Sequence, residues 1–110
     1  MTNIDPTSLP VDIDIAMGKA LLNHPEVQFI DIREQYEYDA GHIVGITLLP
    51  MSQIQNRMGE IPKDKTVIIS CQTGIRSDQV VQYLRAIGYN NVHNMAGGFA
   101  NWRAARYPVE

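Results

Sequence analysis

Two apolar runs stand out against an otherwise mixed chain. Residues 27–32, Val-Gln-Phe-Ile-Asp-Ile, are short and β-branched and give way at once to polar residues, the pattern of a strand buried on both faces. Residues 66–70, Thr-Val-Ile-Ile-Ser, repeat that pattern behind the turn-forming Pro62, Lys63, Asp64 and Lys65. Residues 46–49, just before Pro50, and residues 91–94 are weaker strand candidates. Helical spacing appears between them. From 78 to 87 the apolar Val80, Val81, Leu84 and Ile87 fall at i, i+1, i+4 and i+7, a stripe suited to one side of a sheet, and Gly88 follows as a stop. Residues 13–22, 51–58 and 99–106 are further helix candidates with softer boundaries. Strands alternating with helices predict an α/β three-layer sandwich, a small, mostly parallel sheet with helices on both faces.

Composition narrows the function classes. A chain of 110 residues fits a single domain, 1–110, with one sheet-and-helix core. Nine Lys and Arg against twelve Asp and Glu give a net charge of −3, which offers no basic field for nucleic acid or an anionic membrane. The N-terminal residues lack a positive segment ahead of an apolar core, and no apolar run approaches the roughly 20 residues of a membrane span. The expected location is cytoplasmic. The alternating Val11-Asp12-Ile13-Asp14-Ile15, between Pro10 and an apolar stretch, is not assigned to an element.

Cys71 is the only cysteine, so no internal disulfide can form. It stands at the end of the second apolar run and opens the loop Cys71-Gln72-Thr73-Gly74-Ile75-Arg76-Ser77. In parallel α/β sheets, ligands bind at the carboxyl ends of strands, where this thiol lies. Two fates are open to it, inert packing or chemistry. Chemistry requires the thiolate, and so a surrounding positive potential that lowers the pKa from about 8.5. The following helix aims its N-terminal dipole and free N–H groups at the loop, Gly74 lets successive amides turn inward, and Arg76 adds a fixed charge. Thr73 and Ser77 can add hydroxyl donors, and Ile75 lines the mouth or packs beneath it.

The loop resembles the active-site loop of rhodanese-like domains, sulfurtransferases that carry sulfur on cysteine as a persulfide. Asp31-Ile32-Arg33, Glu37-Tyr38 and Gly41-His42-Ile43-Val44-Gly45 resemble a second family segment. Gly88-Tyr89-Asn90-Asn91-Val92, with Gly97-Gly98-Phe99 and Trp102, resemble a third. The resemblance is clear over about residues 27–110. It departs from the family at Val44, Ile46 and Leu48, where proline, a small residue and asparagine are common.

This resemblance implies Cys71 as the nucleophile and Gln72, Thr73, Gly74, Ile75, Arg76 and Ser77 as the substrate-binding loop. His42 is then scaffold, while Asp31 and Arg33 read as a structural ion pair, because buried charges persist only when paired. Four residues separate Cys71 from Arg76, one fewer than in the related cell-cycle phosphatases and arsenate reductases, so the cradle suits a sulfur atom better than a phosphate. The implied partners are a small anionic sulfur donor such as thiosulfate, an acceptor such as cyanide or a thiol, and a protein partner if sulfur is relayed. No metal and no organic cofactor is called for. The alternative from another class is a rhodanese-like binding or regulatory module with little turnover, which an intact Cys71–Arg76 loop argues against.

Overall fold

The computed structural model describes residues 4–110. The apolar run at 66–70 becomes β4 (Thr66–Ser70), buried along its whole length, with Val67, Ile68 and Ile69 at 0% exposure. Such burial requires the central place in a sheet covered on both faces. On one side β4 pairs with β2 (Val27–Asp31), which pairs in turn with the short β3 (Thr47–Leu48). On the other it pairs with β5 (Val92–Met95), which carries β1 (Asp12–Ile13) at the edge. All four pairings are parallel, in the order β1-β5-β4-β2-β3.

Helices α1 (Ile15–Leu21) and α4 (Gly98–Ala104) cover one face, where Phe29, Ile68, Met95 and the fully buried Trp102 meet. The long α3 (Ile75–Ala86) covers the other over Ile30, Ile69, Val81 and Leu84. The α/β three-layer expectation therefore holds, with a sheet that is parallel throughout. A further short helix, α2 (Gln35–Asp39), follows β2 and is closed by a capping box between Glu34 and Glu37. No helix among the described residues is long and apolar enough to cross a membrane.

Three expectations need correction. Residues 51–58 do not form a helix but part of two 3-10 turns, Met51–Gln53 and Met58–Glu60. Only Ile54 is buried there, and one anchor does not hold a helix against a sheet. Ile87 leaves the buried stripe, 47% exposed, because it is the C-cap of α3 and Gly88 turns the chain away at φ +108°; Tyr89 takes the inward place. The helix candidate at 13–22 begins instead at Ile15, because the alternation at 11–15 divides between two elements. Ile13 pairs with Met95 in β1, while Asp14 caps α1 by accepting the Met17 N–H at 2.8 Å.

Candidate functional site

Helix α3 begins at Ile75, earlier than the stripe from 78 predicts, and this decides the geometry around Cys71. Gly74 adopts φ +97°, a conformation open to glycine, and turns the chain from the loop directly into the helix. Ile75, Arg76 and Ser77 are thus the first helical turn, whose N–H groups have no partner inside the helix. Two amides converge on sulfur: the Gly74 N–H donates to Cys71 Sγ at 3.1 Å and the Ser77 N–H at 3.3 Å. The Ser77 hydroxyl lies 3.3 Å from the same sulfur and donates to Asn94 Oδ1 at 2.6 Å.

The loop is clamped from outside by the segment that begins with Gly97 and Gly98. The Phe99 and Ala100 N–H groups, at the start of α4, donate to the carbonyls of Cys71 and Gln72, each at 2.9 Å. Pulling those carbonyls outward leaves the loop amides facing inward. Close approach demands glycine here, because a β-carbon on Gly98 would collide with the carbonyl oxygens of Cys71 and Gln72. Fixed by both clamps, Cys71 is 1% exposed.

Burial works to raise the thiol's pKa, the largest single influence. The Ser77 hydroxyl and the amides of Ser77, Gly74 and Thr73 together outweigh it, so the thiol lies below its ordinary range. The leading causes are neutral hydrogen bonds. Arg76, expected to add a fixed charge to the loop, closes a two-pronged ion pair on Glu37, with Nη1 to Oε1 and Nη2 to Oε2 both at 2.8 Å. That bond holds the Glu37 carboxyl down at about 2, with burial opposing, and raises Arg76 above its ordinary value.

Asp31 and Arg33 form a buried ion pair at 2.8 Å. Arg33 also donates to Gln72 Oε1 at 3.2 Å and to the Gly41 carbonyl at 2.8 Å, and its guanidinium lies over the Phe99 ring. The pair therefore ties the end of β2 to the cysteine loop. His42 is not among the groups that bond the sulfur; it stacks on Tyr38 and its ring bonds the Tyr38 carbonyl. Gln72 lines a cavity of about 290 Å³ together with Arg33, Tyr36, Glu37, Phe99 and Arg103. Thr73 is exposed, and Ile75, 68% exposed, is not packed beneath the loop. A larger groove of about 790 Å³ lies at the opposite end of the sheet, against Thr66 and His93, and contains no thiol.

Sequence reasoning missed three residues. Glu37 lies within a quoted motif, but nothing in the chain pairs it with Arg76 across 39 positions. Arg103 is one of many surface arginines. Asn94 carried a signal, a polar residue inside a fully buried strand, where it needs a partner.

Comparisons with known proteins bear on the fold and the family of the chain. The family model for the rhodanese-like domain matches residues 16–105, starting earlier than the motifs that begin near residue 27. A protein named sulfurtransferase from Allochromatium vinosum is 38% identical over 94 residues, 86% of this chain and 88% of the relative. A thiosulfate sulfurtransferase GlpE from Pseudoalteromonas translucida is 39% identical over 93 residues, 84% and 89% of the two. The protein YqhL of Bacillus subtilis is 42% identical over 77 residues, and the match spans 61% of its length. Among solved structures, a rhodanese-related protein from Thermoplasma volcanium superposes with a TM-score of 0.82 at 26% identity, covering 90% of this chain and 96% of that one.

Proposed function

The chain belongs to the family of rhodanese-like domains, and from that premise we propose that it is a sulfurtransferase carrying sulfur on Cys71 as a persulfide. One observation carries the reading: the single buried thiol receives two backbone N–H bonds inside an uninterrupted loop. Those amides favour negative charge on the first sulfur and, as the bond to a second forms, on the outer one.

The reaction has two half-steps. The Cys71 thiolate attacks the outer sulfur of thiosulfate; the new S–S bond forms at Sγ while the donor's S–S bond breaks, its electron pair leaving on sulfite. Cyanide or a thiolate then attacks the outer sulfur of the persulfide and returns the electron pair of that S–S bond to Sγ. Charge and sulfur balance in both steps. The sulfonate of the donor lies in the cavity beside Gln72, near Arg33 and Arg103. Arg76 serves the donor from the rim, where it shares its charge with Glu37. Exposed Tyr36 and Ile75, at 75% and 68%, give that rim the apolar surface that a protein acceptor in a sulfur relay would meet.

Intact mass tests the intermediate. Thiosulfate should add one sulfur atom to the protein, and cyanide should remove it with release of thiocyanate. Cys71→Ser should fold and do neither, because a serine hydroxyl is not ionised at neutral pH. If wild type never gains sulfur from thiosulfate, mercaptopyruvate or a protein persulfide, a docking module replaces the enzyme reading.

A further inference from the structure

The Ser77 hydroxyl has one hydrogen and two claimants. At 2.6 Å that hydrogen belongs to Asn94 Oδ1, so the contact of 3.3 Å between Ser77 Oγ and Cys71 Sγ must be bridged by the thiol's own hydrogen. The observed arrangement is therefore the one for neutral sulfur. Once sulfur becomes anionic, it has no hydrogen to offer, and the hydroxyl must turn to donate to it. Two acceptor oxygens, Oγ and Oδ1, would then face each other at 2.6 Å, in a place where Ser77 is 0% and Asn94 4% exposed. Both side chains are shut off from bulk solvent, so that contact is costly. An asparagine relieves it by itself: turning its amide half a revolution presents Nδ2–H to Oγ.

We infer that Asn94 is a positioning residue for the sulfur chemistry, its side-chain amide turning so that the Ser77 hydroxyl follows the charge on Cys71. With thiol, the chain of donors runs from sulfur through Ser77 to Asn94. With thiolate, or with the persulfide anion, it runs from Asn94 through Ser77 to sulfur. The second chain ends on an anion, and its bonds are the stronger for it. Asn94 is placed for this by pairing in register between Asp12 of β1 and Ile69 of β4, on the sheet face that α3 covers.

Other charged groups near this chain do not provide the switch. Arg76 and Glu37 are bonded to each other, Asp31 and Arg33 likewise, and Asp12 is exposed on the edge strand. Asp78 is half-buried on α3, and His93, next to Asn94, bonds the Pro10 carbonyl.

The inference deepens the sulfurtransferase reading and rests on it for its role, yet it is tested separately. Side-chain amide NMR of the ¹⁵N-labelled protein, with the Asn94 signals assigned by their absence from Asn94→Leu, is followed through the pH range in which iodoacetamide alkylation of Cys71 titrates. The Asn94 signals should move with the alkylation midpoint and should move again on persulfide loading. In Ser77→Ala they should stay nearly still while the thiol continues to titrate. Asn94→Leu should slow alkylation at neutral pH by roughly fivefold, the scale of one hydrogen bond, and by under about twofold when Ser77 is already alanine. Signals that ignore the thiol titration in wild type overturn the inference, as does equal movement with and without the Ser77 hydroxyl. If Asn94→Leu does not fold, the wild-type and Ser77→Ala titrations decide alone, with the Asn94 signals assigned through its backbone. Sulfur uptake with silent Asn94 signals removes the switch and keeps the transferase; moving signals without sulfur uptake do the reverse.

Discussion

At the Cys71 end of the loop the sulfur faces neutral dipoles: two amides that donate to it and a hydroxyl beside it, all buried. At the Arg76 end a guanidinium meets a carboxylate, with the two side chains 35% and 18% exposed. The difference separates two tasks that the sequence had joined. Fixed dipoles favour a negative charge without bringing a counter-ion, so on the proposed function a thiolate at Cys71 would stay available for attack. The arginine, paired with Glu37, would on the proposed function act at the rim by sharing its charge.

The largest effect comes from breaking the sulfur end. Gly98→Ala forces a β-carbon against the carbonyls of Cys71 and Gln72, at a φ of +58°. It should lower unfolding stability by about 2 kcal/mol or more and remove sulfur loading, as denaturant melts and intact mass would read. Next comes Ser77→Ala, which deletes a hydroxyl without disturbing the helix. The alkylation midpoint of Cys71 should move upward, toward the unperturbed thiol, and the thermal midpoint should fall, since buried Asn94 Oδ1 loses its donor. An unmoved midpoint would mean that the amides alone hold the charge.

The rim end should respond less. Arg76→Ala should raise KM for thiosulfate several-fold with a smaller change in kcat, since the amides remain. Glu37→Gln sharpens the comparison by freeing the cation, and KM for thiosulfate should fall. A rise in KM would show that the pair matters as a brace and not as a donor contact.

The smallest effect is in the pH dependence of stability. The Glu37 carboxyl is depressed in the folded protein, from an ordinary 4.5 to about 2, so the unfolded chain binds the proton more readily. Its contribution is fully present above about 4.5 and fades as pH falls toward 2. Because the pair is partly exposed, solvent screening limits it to a modest slope. Acid titration of unfolding should show that slope in wild type and lose it in Glu37→Gln.

Much of the frame could be read from hydrophobic spacing. β4 matches residues 66–70 to the residue, and β2 departs by a single position, because continuous β-branched runs in a buried parallel sheet leave little choice. The stripe of α3 shows its apolar face but not its first turn, which contains Ile75 facing solvent and Arg76 facing Glu37. That turn is set by the Gly74 backbone and by what lies across the loop. α2 was missed because it has no buried residue and depends on its capping box. The cysteine, its loop and the glycine pair were all visible as motifs. Their mutual contact was not, since Gly98 meets Cys71 only through the fold. Asn94 and Glu37 belong to the same class: polar residues whose partners sit on other elements.

The clamp also carries a consequence for biosynthesis. Amides of Phe99 and Ala100 hold the carbonyls of Cys71 and Gln72, and β1 has no neighbour until β5, about eighty residues later, is available to pair with it. Such distant pairings form late, after the entropy of closing the chain has been overcome. A ribosome that has released residues up to the end of α3 exposes a chain with its cysteine present but its cradle unbuilt. The outer clamp on the cysteine loop is thus completed only when Phe99 and Ala100, on a later element, reach the Cys71 and Gln72 carbonyls.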